Sequence, residues 1–263
     1  LLIQSLYNVV DSLFVGKYDP SGNGINALSV IYTMQLVIIA LAVGTGVGVN
    51  TYMAKLYAEK KEKEANETAG VGAVLSIIMW IIFSLLSVVI IKPFINFQCT
   101  DETAREYAFT YGIIVCVGGL GVFAEGIFTK VHQAEGNMIL PTIAQITGAV
   151  VNVILDPVLI FGWWIFPEMG IAGAAVATVL GQVIAAVITG IKGFRKPPEL
   201  KNFGHYIKKI YGYGYPSVLM QFAFTVYIVA LNAILATFCN EAVIVLGLYY
   251  KVQSNVHSTR NKL

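Results

Sequence analysis

The chain has 263 residues, of which 57% are apolar and 12% charged, with a formal net charge of +2 and a mean hydropathy of +0.72. A soluble domain carries about 25% charged residues, so this composition excludes one and places the chain among polytopic membrane proteins. So small a net charge offers no footprint for nucleic acid. Cys99, Cys116 and Cys239 are odd in number, far apart and without a Cys-x-x-Cys pair, which supports neither a disulfide framework nor a zinc site.

Helices that cross a bilayer need about 20 apolar residues. Charge-free stretches fall at 1–16, 25–54, 68–91, 107–124, 139–166 (broken by one aspartate), 169–191 and 210–240, and 242–250 begins an eighth. The first stretch is short and opens inside an apolar run. Asp11 is its only charge, with Tyr7, Asn8 and Gln4 before it at helical spacing, so a polar stripe runs along an apolar helix. A residue at the mouth beside Gly16 is the plainer reading, and a working acid the favoured one. In the second stretch, Gly44-Thr-Gly46-Val-Gly48 mimics a nucleotide loop but has no preceding strand. Close helix packing is the expectation. The run 54–66, alternating Lys and Glu, reads as a solvated helix. Glu125 ends the fourth stretch, five residues before Lys130. It reads as a solvated helix end in preference to a buried relay acid.

Asp156 is the most informative residue. It lies inside 141–167 with no other charge, where a carboxylate costs at least about 2.5–3.5 kcal/mol on insertion scales. Gly148, Asn152 and Asp156 recur at i, i+4 and share a helix face. Pro157 cannot donate to the carbonyl of Val153, which adds a backbone oxygen to that face. The bland alternative is a bond that pins two helices, for which an aspartate is an expensive choice. Trp163 and Trp164 follow where an interfacial aromatic belt is expected. Thr178, in Gly173-Ala-Ala-Val-Ala-Thr178, reads on its own as a back-bonded core threonine, and Gln182 one turn on is ambiguous. His132, His205 and His257 are expected in loops or the tail, with no Ser/His/Asp constellation, so an enzyme is not expected.

The segment 192–209 is the long polar connection, and its Lys196-Pro-Pro-Glu199 core cannot continue a helix. It is read as a boundary between a unit at 1–195 and a second at 196–263. Beyond it, Gln221, Thr225 and Asn232 dot an apolar helix much as Gln4, Asn8 and Asp11 dot the first, a weak internal symmetry common in transporters. The residues 254–263 are polar and patternless, and a fragment of a longer chain is the expectation. Eleven Lys and Arg fall in 55–67, 130–136 and 192–209, against Lys17, Lys92 and Arg105 on the other side. The positive-inside rule puts the three lysine-rich loops, the even-numbered ones, in the cytoplasm and 16–24 outside.

Several segments together resemble the multidrug and toxic compound extrusion family. They are Tyr7-Asn-Val-Val-Asp11-Ser-Leu-Phe-Val-Gly16, Ala54-Lys-Leu-Tyr-Ala-Glu-Lys-Lys-Glu-Lys-Glu-Ala65, Gln133-Ala-Glu-Gly136-Asn with Asn152-Val-Ile-Leu-Asp156-Pro-Val-Leu-Ile-Phe-Gly162, Gly170-Ile-Ala-Gly-Ala-Ala-Val-Ala-Thr178, and Gly214-Tyr-Pro-Ser217. The resemblance implies an all-α polytopic membrane protein: the six-helix N-terminal lobe of a two-lobe, twelve-helix transporter, plus the first helix and the start of the second of the C-terminal lobe. It implies cation-coupled efflux from a prokaryotic plasma membrane, with a proton or sodium ion as the coupling ion and no cofactor. Substrates would be small amphipathic or cationic compounds, the surroundings membrane lipids, with no obligate protein partner. Carried over by motif, the cation-binding residues would be Asp11, Asn152, Asp156 and Thr178. Gln4, Tyr7, Asn8, Gly148 and Gln182 are expected to line the cavity.

Three rivals stand beside this reading. A lipid-linked saccharide flippase of the same architecture would want Lys or Arg inside the spans, which are nearly free of them. An intramembrane aspartyl protease would want Gly-x-Gly-Asp, and Asp156 follows Val-Ile-Leu. An inactive fragment is the third, since a lone lobe lacks the opposing wall that transport needs. The topology is directly testable: a cysteine placed at Lys201 should resist a membrane-impermeant maleimide added to intact cells and react after permeabilisation. Labelling in intact cells would reverse the orientation.

Overall fold

The computed structural model describes residues 2–99, 101–163 and 166–236. Trp164, Cys239, His257, the expected eighth helix at 242–250 and the 254–263 tail lie outside the described residues. Among those described, the chain forms α1 (Leu2–Tyr18), α2 (Asn23–Ala58), α3 (Glu62–Gln98), α4 (Glu102–Val117), α5 (Leu120–Ala134), α6 (Ile139–Ile160), α7 (Ile171–Gly193) and α8 (Phe203–Ala236). A short 3₁₀ turn, Leu200–Asn202, precedes α8. This is the all-α membrane architecture expected. Helices α2, α3, α6 and α7 are each long and apolar enough to cross a bilayer, and α4 with α5 makes a fifth crossing bent by 45°.

The bilayer decides which side chains are left outside. On α3, Ile78, Ile82, Leu85 and Val89 are exposed at helical spacing, and on α6 so are Ile139, Ile143, Ile146, Val150 and Ile154. In water such a surface would aggregate; against lipid tails it is the normal exterior. The opposite faces pack inward. One core joins Val15, Ile31, Ile91, Tyr111, Val115 and Ile171 from several helices. Another, on the lysine-rich side, joins Met53, Leu56, Val71, Val131, Tyr206 and Ile210.

Where small residues recur, backbones touch. A Cβ added at Gly44 would meet Val218 of α8, one at Gly48 would strike the carbonyl of Ile210, and one at Gly46 would sit 2.8 Å from Lys130 on α5. The glycine run therefore packs α2 against two helices, as its position inside an apolar helix required. Between α6 and α7 the approach is as close. A Cβ at Gly148 would lie 2.6 Å from the carbonyl oxygen of Gly181, and one at Gly173 would lie 2.6 Å from that of Leu159.

Three expectations are corrected. The fourth crossing is not a plain helix over 107–124 but α4 and α5, broken at Gly118–Gly119 and running on to Ala134. The break sets carbonyls free, and α3 supplies donors: the Trp80 indole N–H bonds the Val117 carbonyl at 2.7 Å and Ser84 Oγ bonds that of Cys116 at 3.4 Å. The charged run 54–66 is not one solvated helix. It is divided between the end of α2 and the start of α3 by a turn with Lys60 at φ 60°. His132 is not in a loop: it is buried in the last turn of α5, with Nε2 2.9 Å from the Thr189 carbonyl. His205 likewise lies in α8.

The polar connection after α7 is tied to the lysine-rich ends of the helices. Arg195 donates to Asn66 at 3.0 Å and to Glu135 at 2.8 Å. Its Lys196–Pro197 backbone crosses so near α3 that a Cβ at Gly70 would be 2.6 Å from it.

The α6–α7 contact predicts a steric experiment. Gly148→Val should destabilise the protein by about 1–3 kcal/mol or more, because a branched side chain must displace a backbone rather than a flexible neighbour. Thermal unfolding in detergent, followed by size-exclusion chromatography, reads this out. An unchanged midpoint would mean that the two helices are not held together there.

Candidate functional site

Glycines 148, 173 and 181 let α6 and α7 meet at backbone distance, and that places Asn152 of α6 against Thr178 of α7. The Asn152 Nδ2 donates to Thr178 Oγ1 at 3.4 Å and to Asp156 Oδ1, one turn along α6, at 3.3 Å. From α1, Asp11 approaches near enough for its charge to act on Asp156. The Tyr111 hydroxyl of α4 donates to Asp11 Oδ2 at 3.4 Å. All four predicted residues are withdrawn from solvent: Asp156 is 0% exposed, Asp11 and Asn152 2% and Thr178 3%. Thus α1, α6 and α7 bring Asp11, Asn152, Asp156 and Thr178 into one buried cluster.

The hydrogen bonds here are loose. Optimal N–H···O bonds cluster near 2.9–3.0 Å, and these run to 3.3 and 3.4 Å. Asp156 Oδ2 and Asn152 Oδ1 are buried without a hydrogen-bond partner among the described residues. No Lys, Arg or His among the described residues forms an ion pair with Asp156. Two neighbouring carboxylates in a dry interior cannot both stay bare. They require a proton or a cation, and hard oxygens from carboxylate, amide and hydroxyl suit either.

The cavity residues divide. Gly148 and Gln182 line a cavity of about 60 Å³ that also reaches Asn152 and Thr178. Gln4, Tyr7 and Asn8 lie on α1, and by spacing Gln4 and Asn8 share the face of Asp11; their side chains lie outside the described residues. Trp163 is exposed at the end of the α6 segment, in keeping with an interfacial position.

Sequence reasoning misjudged Glu125 and passed over Gln145 and Tyr111. Glu125 is no solvated helix end. It is half-buried, lines the same cavity, and its Oε1 accepts from Thr129 Oγ1 at 2.8 Å and Gln145 Nε2 at 3.2 Å. The reason is the Gly118–Gly119 break: α5 continues for two and a half turns beyond Glu125, so the residue lies well inside the protein. Gln145 had a signal available, since it sits two turns before Asn152 on the same face of α6. Tyr111 had none beyond being a polar aromatic in an apolar helix.

Known proteins share this fold. The chain is 26% identical over 184 residues to a protein named FAD transporter from Shewanella oneidensis, covering 70% of this chain and 40% of that protein. It is 24% identical over 258 residues to the multidrug export protein MepA of Staphylococcus haemolyticus, covering 95% and 56%. The structure of a ligand complex of DinF-BH, a MATE multidrug transporter, superposes with a TM-score of 0.87 at 22% identity, over 97% of this chain and 58% of that one. The chain thus spans about half the length of the curated relatives it matches. The MatE family model matches residues 1–158, which include Asp11, Asn152 and Asp156 but not Thr178, and with it the chain belongs to the MatE family, the multidrug and toxic compound extrusion transporters.

Proposed function

We propose that this chain carries the cation-binding lobe of a secondary efflux transporter, and that Asp11, Asn152, Asp156 and Thr178 hold the coupling ion, a proton or sodium. The observation that carries the proposal is the buried pair of acids on α1 and α6, with Asp156 Oδ2 and Asn152 Oδ1 lacking hydrogen-bond partners among the described residues. A bound cation offsets the repulsion between the carboxylates and draws α1 towards α6. Its release lets them part. An ion that binds one arrangement better than the other shifts the population between the two, which is what coupling to transport requires.

The exported compounds are proposed to be small, amphipathic and often cationic; the names of MepA and of the DinF-BH transporter speak of multiple drugs for those proteins. Residues 1–195 are proposed to form one lobe, and 196–263 the connection and the opening part of a second. Transport is proposed to need two lobes that rock against each other about a site between them.

Cation binding to the purified protein tests the assignment without requiring transport. Asp156→Asn keeps the shape and removes the charge. Losing a charged partner costs about 1.5–3 kcal/mol, so cation affinity should fall by roughly tenfold to a hundredfold. Thr178→Ala removes one neutral oxygen, costing about 0.5–1.5 kcal/mol, and should weaken binding by about tenfold at most. Isothermal titration with sodium and potentiometric titration of proton uptake give both numbers. Wild-type affinity for both ions in Asp156→Asn would end the proposal.

A further inference from the structure

The cavity beside the cluster has an acid of its own, Glu125, at its far end. It lies between α5, α6 and α7 and joins Asn152 and Thr178 to Glu125, Gln145 and Gln182. Gln145 precedes Asp156 by eleven residues, or about 16 Å along a helix rising 1.5 Å per residue. Glu125, bonded to Gln145, therefore stands well towards the lysine-rich side of the bilayer from Asp156. Between them Gly148 leaves the wall of α6 without a side chain. At about 60 Å³ the cavity is too small for a drug and suits two or three waters or a partly hydrated ion.

Its polar atoms point to what it holds. Asn152, 2% exposed, lines the cavity, and among the described residues its Oδ1 has no hydrogen-bond partner; Gln182 lines it too, and its Oε1 is likewise buried without one. Thr129 and Gln145 both bond the same Glu125 oxygen, Oε1. The donors thus tether the acid by one oxygen, while the free lone pairs along the cavity belong to acceptors. Two unpartnered amide oxygens and a carboxylate along one cavity suit a small hard cation. Lys130 of α5 lies near enough for the charge of Glu125 to act on it, and its ammonium is hydrogen-bonded to Gln133 at 2.8 Å. Gln145 and Gln182, facing the acid's cavity from α6 and α7, are neutral.

We propose that Glu125 is a second cation station, which passes the coupling ion along Gln145, Gln182 and Asn152 between the lysine-rich side and the Asp11–Asp156 cluster. This rests on the reading of that cluster as the ion site. Glu125 acts on the path to the site and not on the final bound state, so it governs the rate of exchange more than the affinity.

Stopped-flow tryptophan fluorescence on the purified protein separates the two readings. One arm is a sodium chloride pulse at fixed pH, the other a pH jump without sodium. Glu125→Gln should slow ion exchange by about tenfold or more, the change one lost hydrogen-bond-sized interaction makes to a rate. Equilibrium affinity should stay within about twofold of wild type, a barrier having been raised and not a bound state lost. Glu125→Asp should restore most of the rate, which a merely structural role for the side chain would not require. Slowing in the sodium arm alone names sodium as the passenger, slowing in the pH arm alone names the proton, and either supports the station. Gln182→Leu, which removes an acceptor midway, should also slow exchange and serves if Glu125→Gln fails to fold. Wild-type rates in both arms for the folded variants, with the signal weakened by Asp156→Asn, would overturn the relay and leave the ion site standing. A full signal in Asp156→Asn would remove the ion site, and the relay with it.

Discussion

The structure depends on the backbone-to-backbone meeting of α6 and α7. With Gly148 facing Gly181 and Gly173 facing Leu159, no side chain holds the two helices apart. Inside a membrane there is little hydrophobic gain from joining two apolar helices, since lipid tails are as apolar as leucine. Close approach and the dispersion it allows must supply the association instead. The same approach makes polar chemistry possible, because Asn152 is short and reaches Thr178 only across a narrow gap.

A second constraint is that every backbone group at membrane depth must find a partner. The break at Gly118–Gly119 is tolerated because Trp80 and Ser84 of α3 donate to the carbonyls it frees. The break also sets the direction of α5, and with it the place of Glu125 beside Gln145. A local defect in one helix, repaired by a neighbour, thus decides where Glu125 stands.

Much of this was legible in the sequence. Asp11 and Asp156 are the only charges in their apolar stretches, and helical spacing alone put Gly148, Asn152 and Asp156 on one face. Composition and charge-free length marked most crossings. What escaped was whatever depends on the angle between helices. Counting charge-free residues cannot see a bend, so the fourth crossing was ended at residue 124, and Glu125 became a helix end by construction. His132 was missed for the same reason. It sits near Lys130 and Glu135, which look like a loop in sequence, yet its ring is buried against the Thr189 carbonyl of α7. Thr178 stood between these cases: its own context suggested a core threonine, and only its meeting with Asn152 gives it polar company.

The position of α2 has a further consequence. It packs against α1, α3, α4, α5 and α8, and residues on every side of it are buried, while α3 presents a long isoleucine- and valine-rich face to lipid. These two helices are almost equal in length and both strongly apolar, but they answer to different kinds of selection. The exposed face of α3 is asked only to be greasy, so its residues can drift among Ile, Leu, Val and Phe with little penalty. Along α2, size is constrained residue by residue, and at Gly44, Gly46 and Gly48 even a methyl group is excluded. Over evolutionary time α3 should wander while α2 stays nearly still, even though α2 contributes no acid to the proposed ion path.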